Sequence, residues 1–496
     1  MFYYGPMPPL MFLCMIIFML YGFPVAFSLG AAGLFFGALG ILTGHFDPAF
    51  LSALPYRFFG IVSNDLLLAI PFFTLMGAIL ERCGLAEDLL EGTGKLFGGV
   101  PGGLAVAVVL VGAVLAAITG TVAASVITMG LISLPVMLRY GYNPRLATGV
   151  IAASGTLAQL IPPSLVLVVL ADQLGKSVGD LYIGAMGPAA VQVFIFLCFI
   201  GLVAIFRPHW VPPLPKEVRG DLDRALVWKV IKGIVPSIVL IFLVLGTIFL
   251  GLATPTEAGA LGVVGGLILA AAHRRLTWNL LRQAIGATAQ LTSMVVFILI
   301  GATVFTLVFQ GMDGALWIEH LLTSLPGGPI GFLLFVNVFI FFLAFFLDFF
   351  EIAFIVVPML APVAHSLGID LVWFGVLLCI NLQTSFMHPP FGFALFYLRS
   401  VAPRTVKTTD IYMGAIPWLI MQLLLVAIVI FWPELVTGLL PGQNNVDLDT
   451  IRIELPTGEG LGGGGIPGLG GDSGIPGLGG STESPGIPGL TGPGGN

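Results

Sequence analysis

The sequence predicts an all-α integral membrane protein built as an inverted repeat, with two re-entrant hairpins and two broken helices. Three observations carry that prediction. Only 9% of the residues are charged while 57% are hydrophobic, and the mean hydropathy is +1.06; a soluble domain needs roughly 25% charged residues to solvate its surface. Apolar runs of about 20 residues, the length that spans hydrocarbon, recur along nearly the whole chain. Prolines and glycines that punctuate those runs return at one fixed offset.

Breakers divide the apolar sequence into about twelve segments, near 9–25, 26–43, 56–81, 101–135, 146–171, 181–206, 233–253, 255–272, 283–310, 328–362, 372–398 and 410–437. At these lengths helices are the spanning form, because lipid leaves no partner for an open backbone. Segments 101–135 and 328–362 are too long for one crossing. Each has a disruptive centre, Thr119-Gly120-Thr121 in one and Asp348 to Glu351 in the other. Both read as re-entrant hairpins; a single long tilted helix is the other reading.

Charge placement favours the hairpins. With both re-entrant, ten crossings remain and the N-terminus faces outward. Inward loops then hold Arg82, Lys95, Arg139, Arg145, Arg207, Lys216, Arg219, Arg224, Lys229, Lys232, Arg274, Arg275, Arg282, Arg399, Arg404 and Lys407, which is 16 of the 19 basic residues. Only Arg57, Lys176 and Arg452 face out. That asymmetry is what the positive-inside rule requires.

The repeat offset is 227. Pro135-Val136 with Gly141 maps onto Pro362-Val363 with Gly368, Pro162-Pro163 onto Pro389-Pro390, and Pro9 onto Pro236. Pro101-Gly102-Gly103 matches Pro326-Gly327-Gly328 two residues out of step. Five crossings separate equivalent points, so the halves are inverted. The expected organisation is a first repeat over 1–212, a cytoplasmic linker over 213–232, a second repeat over 233–440, and a tail over 441–496. The tail carries Gly-Ile-Pro-Gly-Leu at 465–469, 474–478 and 486–490. It buries too little apolar surface to order itself and is expected to be disordered, docking to a partner being the other reading.

Each hairpin is followed by an interrupted helix. The first, 146–171, breaks from Ser154-Gly155-Thr156 to Pro162-Pro163-Ser164, and the second, 372–398, from Asn381-Leu382-Gln383-Thr384-Ser385 to His388-Pro389-Pro390. Paired prolines free carbonyl oxygens. Corresponding Pro/Gly interruptions in two inverted halves point to a transport site; structural kinks are the bland alternative. Freed carbonyls with hydroxyls suit a hard cation, with Thr119, Gly120, Thr121, Ser154 and Gly155 as candidates in the first half and Thr384 and Ser385 in the second, Asp348 lying nearby. Half-helix N-termini carry partial positive charge and suit an anionic substrate group. Asp348 within the membrane is a functional candidate, with a structural hydrogen bond as the alternative; that structural role is favoured for Glu351. Glu257, in Thr254-Pro255-Thr256-Glu257, reads as an N-terminal cap. His388 reads as a packing or hydrogen-bonding residue rather than a ligand.

Other classes find little support. Cys14, Cys83, Cys198 and Cys379 are dispersed, with no CxxC pair, so neither a disulfide framework nor a transition-metal site is expected. No Lys or Arg precedes Arg57, so a signal peptide is not expected. Gly92-Thr93-Gly94-Lys95-Leu96 lacks both the first glycine and the final hydroxyl of a phosphate loop. An enzymatic residue set, a cofactor or a nucleic-acid partner is not expected. A channel remains an alternative that conductance would reveal.

Over roughly residues 10–438 the chain resembles the large membrane subunit of tripartite ATP-independent periplasmic (TRAP) transporters. The resemblance rests on Leu68-Ala69-Ile70-Pro71-Phe72-Phe73 with Met76-Gly77, the 119–125 stretch, Gly155-Thr156-Leu157 through Ser164, Thr254 to Ala258, Phe346-Leu347-Asp348 and Gly368-Ile369-Asp370. The family usually has serine where Val122 stands, and often threonine where His388 stands. The resemblance implies an elevator-type fold like that of the ion transporter superfamily, in which hairpins and broken helices form a moving transport domain. It also implies sodium as the coupling ion, a small membrane subunit, a periplasmic solute-binding protein and a bacterial or archaeal inner-membrane location. Substrate positions of the family map onto Thr121, Ser164 and Asp348, with Asn381 added in the second break. Residues 349–354 and 381–396 resemble the branch for 2-oxo acids, mannitol or chloroaromatic compounds, and favour a monocarboxylate or 2-oxo acid among small organic acids. A self-sufficient cation-coupled carboxylate carrier, without a binding protein, is the alternative.

Overall fold

The computed structural model describes residues 6–215 and 224–440, and every regular element among them is helical. The tail at 441–496 and the 216–223 part of the linker lie outside the described residues. The first half comprises α1 (Met7–Leu20), α2 (Val25–Thr43), α3 (Leu54–Val62), α4 (Asp65–Arg82), α5 (Leu85–Phe97), α6 (Gly103–Thr119), α7 (Val122–Arg139), α8 (Pro144–Thr156), α9 (Leu165–Leu174) and α10 (Val178–Phe206). The second comprises α11 (Arg224–Phe249), α12 (Pro255–Ala272), α13 (Trp278–Gly311), α14 (Gly314–Thr323), α15 (Gly328–Leu343), α16 (Phe349–Ser366, with a π turn at Ile352–Val356), α17 (Leu371–Ser385), α18 (Phe393–Val401), α19 (Thr408–Phe431) and α20 (Glu434–Thr437).

These boundaries repeat. α16 and α17 start one full repeat offset after α7 and α8, and α18 ends the same offset after α9. The intervening Pro162-Pro163 and Pro389-Pro390 bonds are both cis. The amphipathic helices α5 and α14 also correspond, each lying just before a hairpin. They are too short and polar to register as apolar segments in the sequence. One pair departs from the rule. Segment 56–81 breaks into α3 and α4 with a 43° bend, because Asn64 takes an extended conformation and caps α4 by accepting from Leu66 N at 2.9 Å. The counterpart α13 runs unbroken for 34 residues.

Seven described helices are long and apolar enough to cross a bilayer, or up to nine if each bent pair is one span. Five of the seven, α2, α10, α12, α13 and α19, coincide with crossings counted in the sequence, and the other two, α7 and α16, are arms of the hairpins. Here breaks leave apolar helices of 10–17 residues, among them α6, α9 and α17. Exposed side chains on the longer helices are themselves apolar, such as Phe194 and Ile205 on α10 and Phe297 on α13, as a lipid-facing surface requires.

Local chemistry starts the helices. Thr254 and Glu257 form a reciprocal capping box at α12, Thr254 Oγ1 accepting from Glu257 N and Glu257 Oε2 from Thr254 N. Glu257 is therefore the cap that its sequence context suggests. Asn143 and Asp370 cap α8 and α17 in corresponding places.

Both long segments fold back on themselves. Gly112 of α6 and Met129 of α7, equally far from the Gly120-Thr121 break, lie side by side. In the second, Phe335, Val336 and Phe339 of α15 line one cavity with Leu360, Met359 and Val356 of α16, again on either side of a break at Leu347-Asp348. The first break lies against α4, where a Cβ on Gly77 would overlap the Thr119 carbonyl oxygen.

Candidate functional site

The hairpin tips and helix breaks meet at a cavity of about 160 Å³. Gly120, Thr121, Val122 and Ala123 come from the first tip, and Asp348, Phe349 and Phe350 from the second. The first break gives Gln159 and the start of α9, Leu165 and Val166. Phe386 follows the end of α17, Phe393 and Tyr397 come from α18, and α13 closes the wall with Leu291 and Met294.

Thr121 and Asp348, counterparts at the repeat offset, thus share one cavity. Asp348 is also structural. Its Oδ1 accepts from Glu351 N at 3.0 Å while its own N donates to Glu351 Oε2 at 3.0 Å, a capping box that starts α16. One oxygen of this carboxylate holds the helix, and the residue lines the cavity.

Two uncapped helix starts border the same space. α7 begins after Thr121 and α9 after Ser164, both extended and neither making a side-chain cap. The Ser164 hydroxyl instead donates to the Gln159 carbonyl. Ser164 is buried next to Leu165 but is not itself part of the cavity lining. First-turn residues of both helices, Val122 and Ala123, Leu165 and Val166, line the cavity, so unsatisfied N–H groups and the positive ends of two helix dipoles converge there.

Of the candidate cation ligands, Gly120 and Thr121 line the cavity, and Thr119, Ser154, Gly155, Thr384 and Ser385 do not. Thr119 Oγ1 is 2.8 Å from Ser125 Oγ, a hydroxyl that the sequence reading does not single out. Ser154 is fully buried, and its Oγ has no hydrogen-bond partner among the described residues. Gly155 allows the Val126 backbone to approach. In the second half, Thr384 and Ser385 donate to the Asn381 and Leu382 carbonyls at 2.6 Å each, which leaves their oxygen lone pairs available. Hydroxyl and carbonyl oxygens are hard donors, unlike the thiolate and imidazole groups that soft transition metals prefer.

Asn381 Nδ2 donates to the Asn337 carbonyl of α15 at 2.8 Å and so ties α17 to the hairpin. Its Oδ1 is buried and has no hydrogen-bond partner among the described residues. The residue does not line the cavity, which the second break reaches further along, at Phe386. His388 packs 4.2 Å from the Phe341 ring and 4.3 Å from Phe345, and neither ring nitrogen has a hydrogen-bond partner among the described residues.

Residues missed by sequence reasoning are Gln159 and the aromatic group Phe349, Phe350, Phe386, Phe393 and Tyr397. Gln159 stands shortly before the first Pro-Pro pair, and that position in a broken helix was its one available signal. The aromatics look like ordinary lipid-facing residues in a membrane sequence.

Comparison with known proteins places the chain in a family. The chain is 32% identical over 399 residues to the C4-dicarboxylate TRAP transporter large permease protein DctM of Pseudomonas aeruginosa, covering 80% of this chain and 91% of that protein. It is 28% identical over 425 residues to the sialic acid TRAP transporter large permease protein SiaM of Vibrio cholerae, covering 85% and 95%. The solved structure of the YdaH transporter from Alcanivorax borkumensis, described as having an unusual topology, superposes with a TM-score of 0.55 at 16% identity, covering 79% of this chain and 89% of that one; it shares the fold. Residues 12–435 match the family model for the DctM component of the tripartite ATP-independent periplasmic transporters, and the chain belongs to that family as a multi-pass membrane permease.

Proposed function

We propose that this permease imports a small organic acid, a monocarboxylate or 2-oxo acid, by sodium-coupled secondary transport. The observation that carries the reading is the cavity where both hairpin tips meet both broken helices. Only the parts that share the repeat offset converge there, with α13 as the one additional wall. The two bare helix starts suit the substrate carboxylate. Thr119, Thr121, Ser154 and Gly155, with Thr384 and Ser385, supply oxygens for sodium beside it, and a bound cation would balance Asp348.

The transport domain in this proposal comprises α6–α9 and α15–α18, moving as an elevator against a scaffold of the remaining helices. The first repeat spans 1–212 and the second 233–440, with the N-terminus outside the inner membrane. A small membrane subunit and a periplasmic solute-binding protein complete the system, in keeping with the tripartite description of the family. The test is uptake into proteoliposomes. Uptake is expected only when the small subunit, a sodium gradient and loaded binding protein are all present. Robust uptake by this chain alone would identify a self-sufficient carrier, and uptake indifferent to sodium would remove the coupling ion.

A further inference from the structure

The cavity has two kinds of lining. Gln159 is 2% exposed, and neither its Nε2 nor its Oε1 has a hydrogen-bond partner among the described residues. It sits among the two uncapped helix starts. A buried amide without partners is costly unless a ligand uses it, and amide N–H groups beside helix N-termini suit a carboxylate. The second kind is aromatic, Phe349, Phe350, Phe386, Phe393 and Tyr397; Thr121, Asp348 and aliphatic side chains complete the lining. Phe349 and Phe386 rings lie 6.3 Å apart, Phe386 and Phe393 5.9 Å, and Phe349 and Phe350 3.9 Å, so the phenyl groups form one continuous cluster.

Resting on the transport reading above, we infer that the occupant is a monocarboxylate with a single six-membered ring as its body, Gln159 holding the carboxylate and Phe349, Phe386 and Phe393 enclosing the ring. Size agrees with this. The cavity measures about 160 Å³, and an apolar cavity of about 150 Å³ is known to admit benzene. Ring-on-ring contacts of the Phe cluster favour a planar or cyclic body. Charge argues against a second carboxylate. Among the described residues no Lys or Arg lines the cavity and its one charged side chain is Asp348, so the second carboxylate of an open-chain dicarboxylate would be desolvated beside a like charge.

The test is calorimetric binding to the purified chain with its small membrane subunit, in sodium, using benzoate, cyclohexanecarboxylate, pyruvate and succinate as probes. Benzoate and cyclohexanecarboxylate are expected to bind at least about tenfold tighter than succinate or pyruvate. Phe393 is 40% exposed, so Phe393→Ala should leave the fold intact and weaken benzoate about tenfold. Gln159→Leu, which removes the amide while keeping an apolar side chain of similar length, should weaken every carboxylate. Succinate or pyruvate binding as tightly as benzoate, no benzoate binding, or unchanged benzoate affinity in Phe393→Ala would each overturn the inference. Sodium-driven uptake of a non-cyclic acid by the complete system would, in that event, leave the transport reading standing.

Discussion

Gln383 Nε2 donates to Thr156 Oγ1 at 3.2 Å, and the two residues are 227 positions apart. They are therefore counterparts in the repeat, and counterparts meet directly only where a two-fold relationship has its axis. Thr156 also accepts from Gln422 Nε2 of α19 at 3.0 Å, while its own hydroxyl donates to the Ala153 carbonyl. One threonine thus ties the ends of both broken helices together at zero exposure.

Removing that acceptor should be costly. Thr156→Val keeps the shape but leaves the Gln383 and Gln422 amides without a partner. Each unpaired buried donor costs about 1–3 kcal/mol. Thermal unfolding of the purified protein in detergent should show a clear fall in Tm, larger than for Thr43→Val, an exposed hydroxyl bonded within its own helix. Equal melting of the two variants would show that the Gln383 contact contributes nothing.

Gly77→Ala tests the seat of the first hairpin. Backbone at Thr119 lies against Gly77 so closely that any Cβ there overlaps it, and a carbonyl cannot yield as a flexible side chain can. The tip should shift and sodium-driven uptake should fall by at least about tenfold, given that misplacement of about 1 Å can cost 10²-fold. Gly30→Ala, where a Cβ meets nothing within 4 Å, should transport normally. Normal uptake by both variants at equal membrane abundance would detach Thr119 from the mechanism.

Much of this architecture is legible in the sequence because membrane sequences are constrained by what lipid refuses. Paired prolines at one offset mark the breaks, since an unpaired backbone at that depth must border a cavity or protein. Asp348 and the Thr119–Thr121 break stand out for the same reason. Gln159 does not stand out, because an amide inside an apolar run has the same appearance whether it ties helices, as Asn381 does, or lines a cavity. The phenylalanines are illegible for the opposite reason: in a chain with 39 of them, composition cannot separate Phe386 and Phe393 in the cavity from Phe194 and Phe297 on the outer surface.

Topology can be read chemically. α7 ends at Arg139 and α16 at Ser366, its counterpart at the repeat offset, and inverted halves put those ends on opposite faces. With Cys14, Cys83, Cys198 and Cys379 replaced, Tyr140→Cys should react with an impermeant thiol reagent from the cytoplasmic side and Ser366→Cys from the periplasmic side. Labelling of both from one side would rule out the inverted arrangement.

The carboxylate of Asp348 can be separated from its capping role. Asn is as good an N-cap as Asp, and its Oδ1 can still accept from Glu351 N, the bond that measures 3.0 Å here. Asp348→Asn should therefore keep the start of α16, insert and assemble normally, and melt close to the wild-type temperature. It removes only the negative charge from the cavity that Asp348 shares with Thr121. If that charge is what a sodium ion balances beside an anionic substrate, the variant should lose most sodium-driven uptake. Asp348→Ala removes cap and charge together, so it should lose uptake and also about 1 kcal/mol of stability. Asp348→Glu restores the charge but displaces the oxygens by a methylene, and should recover little transport in so close a site. Uptake measured at several sodium concentrations, with membrane abundance as control, distinguishes these cases. An Asp348→Asn protein with wild-type rate and sodium dependence would mean that Asp348 serves only the helix it caps.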